Sequence, residues 1–166
     1  MKQRKGFTLI ETIIYAGLFS VIISLVLVGV FQIIESQDRA QAIVETQEEA
    51  NFIMRKIRWA LLGVQSINQP LAGTTSSLLS VNKFNFGQNP VIFDVASDSI
   101  RLATGGGGSL TLNSRDVKIV SLVFEHIPQS GDIPPAIKTE LTVEFNRDAS
   151  TGLVVSSSLE SISYLK

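Results

Sequence analysis

The chain has 166 residues, of which 45% are hydrophobic, and its formal net charge is −1. A chain of this length can bury one modest core, which predicts one soluble domain. Because the sequence contains no cysteine, disulfides, zinc–cysteine sites and thiol catalysis are excluded.

A short basic leader opens the chain. Three of the 14 basic side chains, Lys2, Arg4 and Lys5, precede Phe7, so the remainder carries 11 basic and 15 acidic side chains. Phosphate contacts require a basic surface. The mildly acidic remainder therefore argues against direct nucleic-acid binding.

The leader is followed by an apolar segment of membrane length. Thr12 to Ile34 contains 23 uncharged residues, which form a helix about 35 Å long, enough to cross a hydrocarbon core of about 30 Å. A secretory signal peptide is the competing interpretation, but its apolar region is shorter and ends at a small-x-small cleavage site that residues 33–37 do not offer. The basic leader predicts a membrane anchor with a cytoplasmic N-terminus and an outside C-terminus.

Glu11 is the only charged side chain between Phe7 and Ile34. An acidic residue at the centre of a membrane costs about 2.5–3.5 kcal/mol, so such a group is usually retained for a partner. The alternative is that Glu11 lies at the membrane boundary and reaches the lipid headgroups.

The helix is predicted to continue beyond the apolar segment, from Phe7 to about Gly63, because no proline and no earlier glycine interrupts it after Glu35. In its second half, apolar residues recur at spacings of three, four or seven, which is typical of one helix face. These residues are Ile43, Ala50, Ile53, Met54, Ile57, Leu61 and Val64. Only this half is therefore expected to pack on a folded domain.

Short runs of branched and aromatic residues follow, separated by turn signals, and indicate strands. Ala136–Phe145 alternates apolar and polar residues, as expected of an antiparallel strand with one buried face. The other predicted strands are Leu79–Phe86, Val91–Val95, Ile100–Thr104, Ser109–Leu112, Val117–His126 and Leu153–Ser158.

The sequence also predicts the connections between these strands. Leu71–Ser80 is predicted to be a loop, and Gly105–Gly108 and Gln129–Pro135 are predicted to be hairpin connections. Ser161–Lys166 is predicted to form a final short strand or a tail. The resulting fold class is α+β, with a long N-terminal membrane-spanning helix packed at its C-terminal half against an antiparallel sheet of about seven strands. That sheet would cover the segment Ala50–Val64.

The leader Met1–Gly6 and the sequence Phe7-Thr8-Leu9-Ile10-Glu11, continued by the apolar helix, closely resemble the processing site of type IV pilins and pseudopilins. The resemblance implies cleavage between Gly6 and Phe7 by prepilin peptidase and N-methylation of Phe7. It also implies that Glu11 is the family's fifth-position glutamate, which controls assembly. Many pilins carry a proline within the apolar helix, whereas this chain has none before Pro70.

This resemblance divides the chain into a leader at 1–6, a transmembrane and assembly segment at 7–34, an amphipathic helical segment at 35–65 and a sheet domain at 66–166. The implied partners are other pilin or pseudopilin subunits through the N-terminal helix, prepilin peptidase, and the pilus or secretion assembly platform. The implied location is the bacterial inner membrane and then a filament. The missing cysteines, the broad sheet and the segment Asp116–Phe124 resemble a minor pseudopilin of the J type.

Catalytic chemistry is not apparent in the sequence. His126 is the only histidine, which excludes a Ser-His-Asp triad and a histidine-based metal site, and it is predicted to be a surface residue near a strand end. Gly105–Gly108 lacks the lysine of a phosphate-binding loop. We therefore expect no enzymatic activity, no cofactor and no metal. The leading hypothesis is a structural filament subunit, and the alternative is a single-pass anchored binding module that does not polymerise.

Overall fold

A computed structural model describes residues 8–145 and 154–165, which form one α-helix and nine β-strands. The helix α1 spans Leu9–Leu61. It ends two residues before the predicted boundary, because Gly63 has a φ of 72°. Glycine adopts this left-handed conformation without steric cost, and it commonly terminates helices for that reason.

Contacts divide the chain into two units, residues 1–41 and 42–166, and α1 contributes to both. The described part of the first unit is Thr8 followed by helix to Gln41. Its large apolar side chains are all exposed. The second unit contains the rest of α1 and all the strands, and it holds the hydrophobic core.

The strands form two antiparallel sheets instead of the one sheet predicted from the sequence. The five-stranded sheet has the order β1-β3-β4-β5-β6, and the four-stranded sheet has the order β2-β7-β8-β9. The bounds are β1 Val64–Gln69, β2 Thr75–Ser76, β3 Leu79–Lys83, β4 Val91–Ala96, β5 Ser99–Thr104, β6 Leu110–Thr111, β7 Val117–Ile127, β8 Ala136–Phe145 and β9 Ser156–Tyr164. The division arises because β7 pairs with β8 and the short β2, while β4 and β5 pair within the other sheet.

Residues from the helix and both sheets share one core. Phe93 of β4, Phe124 of β7 and Ile53 of α1 are among its fully buried side chains. The interior therefore requires α1 and both sheets together, since each contributes one apolar face.

The buried side of the helix differs from the predicted apolar face at two positions. Ile43 is 38% exposed, and Val64 belongs to β1 and not to the helix. The buried helical residues are Ala42, Thr46, Ala50, Ile53, Met54, Ile57, Ala60 and Leu61. Ala42 occupies the buried side, so Ile43, about 100° further round the helix, points away from it.

Several small residues were missed because their side chains carry little hydrophobic signal. Ala42, Thr46 and Ala60 are buried, and the hydroxyl of Thr46 donates to the carbonyl oxygen of Ala42 at 2.7 Å. Small residues allow a sheet to approach a helix backbone closely. Their burial is therefore a property of the assembled interior, which a search for large apolar residues does not detect.

The strand predictions are largely confirmed. Ala136–Phe145 has the predicted bounds, Gly105–Gly108 lies between β5 and β6, and Gln129–Pro135 lies between β7 and β8. The predicted loop at Leu71–Ser80 is wrong in part, because it contains β2 and the start of β3.

Two predictions at the ends of the sheet domain are also wrong. β1 was missed, since its sequence Val-Gln-Ser-Ile-Asn-Gln has few strand-forming residues. The strand predicted at Leu153–Ser158 and the short strand or tail predicted at Ser161–Lys166 are joined in one continuous strand, β9, which pairs with β8 along its whole length. Leu153 and Lys166 themselves lie outside the described residues.

Candidate processing and assembly site

The predicted site comprises Gly6, Phe7 and Glu11. Gly6 and Phe7 lie outside the described residues, together with the remainder of the leader. The structure therefore describes the site from Thr8 onward, and the placement of Glu11 can be examined directly.

Thr8 is the N-cap of α1. Its side-chain Oγ1 accepts a hydrogen bond from the backbone N–H of Glu11 at 3.3 Å, and its carbonyl oxygen accepts one from the N–H of Thr12 at 3.2 Å. The first contact serves one of the four N-terminal N–H groups that lack an i→i−4 partner, and the second is the first regular hydrogen bond of the helix. The Thr-x-x-Glu spacing of a capping box is the sequence signal that could have identified this role of Thr8.

Glu11 occupies the first turn of the helix, where its side chain is half-buried. Its Oε1 accepts a hydrogen bond from the hydroxyl of Tyr15 at 3.2 Å. Among residues 8–145 and 154–165, Tyr15 is the polar partner of this carboxylate, and none of the ion pairs includes Glu11. The i,i+4 spacing that brings the two side chains together is also readable in the sequence, and it could have identified Tyr15.

The position of Glu11 is electrostatically favourable. A negative charge in the first turn of a helix interacts with the partial positive charge of the N-terminal N–H groups, typically by about 0.3–1 kcal/mol. A carboxylate also offers about four lone-pair sites. The hydrogen bond from Tyr15 uses one of them, so Glu11 retains the capacity to accept a cationic partner.

The apolar segment that follows carries few polar side chains, and α1 itself satisfies their hydroxyls. The hydroxyl of Thr12 donates to the carbonyl oxygen of Leu9 at 2.8 Å, that of Ser24 donates to Ser20 at 2.8 Å, and that of Ser20 donates to Ala16. In a medium without water, such internal bonds avoid the cost of an unsatisfied donor.

By length and composition, α1 is the one helix of the described chain that is apolar enough to cross a membrane, and none of its most apolar window is buried. The positions of the exposed apolar side chains cover every direction around the helix between Leu9 and Ile34. A helix that is hydrophobic on all sides is typical of a membrane span.

The single histidine and the single tryptophan of the sequence have structural contacts. His126, in β7, places Nδ1 3.0 Å from the carbonyl oxygen of Pro70. Trp59 contacts the end of β3 and the connection that follows it, with Nζ of Lys83 4.0 Å from its ring centroid and the ring of Phe86 at a centroid distance of 5.9 Å. Within the ranges 8–145 and 154–165, no three His, Cys, Asp or Glu side chains are grouped so that they could hold a metal ion.

Comparison with known proteins gives one match. The family model described as the prokaryotic N-terminal methylation motif matches residues 1–31. No curated protein and no solved structure matches the chain. The matched segment includes Gly6, Phe7 and Glu11, and it ends within the apolar part of α1.

Proposed function

We propose that this chain, whose N-terminal segment carries the methylation signature of type IV pilins and pseudopilins, is a minor structural subunit of a type IV pilus-like or type II secretion filament. The signature implies a single-pass membrane anchor that is processed by prepilin peptidase. In the proposed sequence of events, the subunit is first held in the bacterial inner membrane, with residues 42–166 outside the cytoplasm. It is then extracted into a filament. The proposed role is structural and includes no catalysis.

Glu11 supports this proposal. Cleavage after Gly6 creates a cationic amine on Phe7, and methylation preserves its charge. Glu11 and that amine belong to the same helix start, whereas the helix of a neighbouring subunit can slide until its amine meets the carboxylate. Pairing between subunits offsets the cost of placing both charges in an apolar bundle.

The character of its existing partner makes this pairing chemically reasonable. Tyr15 is neutral, so its 3.2 Å hydrogen bond does not itself compensate the charge of Glu11. The partners in this proposal are other pilin or pseudopilin subunits, prepilin peptidase and the assembly platform. A J-type minor pseudopilin is the specific subunit class that we propose, on the sequence of Asp116–Phe124.

The processing step is tested by mass spectrometry of the mature protein isolated from its own host. We expect a chain that begins at N-methylated Phe7. An intact Met1, or a new N-terminus near Ser36, would contradict the proposal, because neither product leaves Glu11 at the fifth position of a processed helix.

The assembly step is tested by replacing Glu11. We expect Glu11→Ala to insert into the membrane at least as well as the wild-type chain, because a polar group has been removed, and to be lost from sheared filaments. Glu11→Gln is the matched variant, since it keeps the size of the side chain and an acceptor for Tyr15 but removes the charge. If both variants assemble normally, the inter-subunit charge pair is wrong, and the non-polymerising anchored module becomes the better interpretation.

A further inference from the structure

The strand β9 forms one edge of the four-stranded sheet. It pairs with β8 through nine residue pairs, from Ala136 with Tyr164 to Glu144 with Ser156. Among the described residues, no strand pairs with its other side. A free strand edge presents a row of N–H and C=O groups that can bind another extended chain.

The hydrogen bonds at its two ends identify which residues face the free side. The N–H of Phe145 donates to the carbonyl oxygen of Val155, and the N–H of Leu165 donates to that of Pro135. The pairing with β8 has no register shift between these ends. The odd-numbered residues therefore bond to β8, and the even-numbered residues direct their N–H and C=O groups outward. These residues are Ser156, Ser158, Glu160, Ile162 and Tyr164.

The outward-facing residues also have exposed side chains, so a bound segment could contact both their backbone and their side chains. Ile162 and Tyr164 are 47% and 61% exposed. Protein edges are usually protected by proline, lysine or a bulge. The sequence Ser-Ser-Ser-Leu-Glu-Ser-Ile-Ser-Tyr contains no proline, glycine or lysine, and the β8–β9 pairing is regular, whereas the β7–β8 pairing contains an irregularity between Ile119 and Ser121.

The charge at the centre of this edge is only partly compensated. Glu140 of β8 lies directly opposite Glu160 of β9. Nζ of Lys138 is 2.7 Å from a carboxylate oxygen of Glu140 and 3.5 Å from one of Glu160. One ammonium group is thus shared by two opposed carboxylates, a pairing of like charges that is unfavourable in a sheet.

We propose that β9 is a docking edge for an extended segment of a partner protein that carries a lysine or arginine beside Glu160 and apolar residues beside Ile162 and Tyr164. The segment would add a fifth strand to the sheet, with backbone hydrogen bonds supplying affinity and alternate side chains supplying specificity. A second copy of β9 is a poorer occupant. The antiparallel register that uses all nine residues places Glu160 beside Glu160 of the other copy. The docking edge does not rest on the proposed filament role, because its evidence lies in the pairing and charges of β9 and not in the N-terminal segment.

The test uses the full chain in lipid nanodiscs and two synthetic nine-residue peptides with valine at the odd positions and threonine at the even positions, except that the central position 5 is lysine in one peptide and glutamate in the other. We expect the lysine peptide to bind about tenfold more tightly, by fluorescence anisotropy, because like charges beside each other oppose association. It should also slow hydrogen exchange at the amides of Ser158, Glu160 and Ile162. Glu160→Lys should reverse the preference between the two peptides.

Backbone recognition is tested separately by Ser158→Pro, which removes an outward N–H and leaves the backbone bonds to β8 in place, and which also removes the hydroxyl 2.9 Å from that of Thr142 in β8. Proline is tolerated where the N–H of an edge strand faces solvent. We expect this variant to lose peptide binding, whereas the matched variant Ser158→Ala, which loses the same hydroxyl but keeps the outward N–H, retains it. Faster hydrogen exchange in β7 and β8 would show that Ser158→Pro disrupts the sheet. In that case the peptide preference of Glu160→Lys still tests whether β9 is the docking edge.

Three outcomes would overturn the proposal. Equal binding of both peptides would remove the role of Glu160, and unchanged exchange at the outward amides with either peptide would remove the role of the edge. The third mixes Ser158→Cys and Ile162→Cys chains, each with one cysteine in a chain that otherwise has none, because these two positions face each other when two copies of β9 pair with Glu160 beside Glu160. A mixed disulfide-linked dimer forming efficiently would make a second copy the occupant in place of a basic partner segment.

Discussion

Tyr15 lies one helical turn after Glu11 in α1, and its hydroxyl donates a hydrogen bond to Oε1 of Glu11 at 3.2 Å. The contact gives the acidic side chain a neutral partner within its own chain. Glu11 therefore has two properties that need separate tests, its charge and its capacity to accept a hydrogen bond. A single substitution of Glu11 can remove both at once. The first prediction uses this separation.

Tyr15→Phe removes the phenol hydroxyl and preserves the ring. We expect membrane insertion, cleavage and recovery of sheared filaments close to wild-type levels, because the proposed pairing between subunits requires the charge of Glu11 alone. The comparison is with Glu11→Gln, which should fail to assemble. If Tyr15→Phe reduces assembly as strongly as Glu11→Gln, the hydrogen bond itself is essential and the charge-pair explanation is insufficient.

The second prediction concerns the helix face that contacts the sheets. Ile53 is fully buried, whereas Ile43, ten residues earlier, is 38% exposed. We expect Ile53→Ala to lower the free energy of unfolding by about 2–5 kcal/mol through lost burial and cavity formation. Ile43→Ala should change it by about 0.5 kcal/mol or less. Urea unfolding followed by the fluorescence of Trp59, the single tryptophan, measures both, and similar losses would show that the buried face is misassigned.

The third prediction concerns the end of α1. Gly63 has a φ of 72°, and a Cβ atom added there would meet no atom within 4 Å. The cost of Gly63→Ala is therefore backbone strain without a clash, and we expect about 1–2 kcal/mol of destabilisation. A Cβ atom added at Gly87 would likewise meet no atom within 4 Å, but the φ of Gly87 is not left-handed. Gly87→Ala is the control and should shift the urea midpoint little; an equal shift would exclude strain as the cause.

The fourth prediction is a pH dependence centred on Lys138. The hydrogen bond to Glu140 is the main cause that raises the pKa of Lys138 above its ordinary value of 10.5, and Glu160 adds to the effect. Glu125 of β7 lies opposite Lys138 in the neighbouring strand. A raised lysine pKa means that the folded state holds its proton more tightly than the unfolded chain does. The stabilisation is therefore complete below the ordinary pKa of 10.5 and is lost as the pH rises through the raised pKa.

We accordingly expect Lys138→Met to unfold at a lower urea concentration than the wild-type chain at a pH of about 8, where the lysine is fully charged, because two opposed carboxylates lose their shared cation. The difference should shrink as the pH approaches and passes the raised pKa. Adding Glu140→Gln to both chains gives a double-mutant cycle that isolates this pair. A difference between wild-type and Lys138→Met that does not vary with pH would contradict the assignment.

Local patterns in the sequence predicted much of the molecule. The long helix and β8 were predicted correctly because their periodicities are strong and extend over many residues. The processing motif was equally readable, since Gly6, Phe7 and Glu11 lie within six consecutive residues. The contacts of Thr8 and Tyr15 follow from spacings of three and four, but a search for charged partners of Glu11 does not find them, because both side chains are neutral.

The features that were missed depend on residues distant in sequence. The pairing partners of β7 decide that the strands form two sheets, and no local pattern in β7 specifies them. β1 is a strand because it pairs with β3, although its own sequence is polar. The burial of Ala42 and Ala60 likewise follows from how the helix meets the sheets. These are consequences of tertiary context, which overrides local propensity.

The internal hydrogen bonds of the apolar part of α1 limit how neighbouring helices can bind to it. Between Thr12 and Phe31, the four hydroxyl groups all donate within the helix. Other helices that contact this segment within the lipid are then selected by the shape of its surface and by close packing. No hydroxyl proton remains to donate a hydrogen bond to them. Rotation of this helix about its own axis therefore leaves these four hydrogen bonds intact. The remaining lone pairs of Glu11 provide the directional contact that can fix its angle.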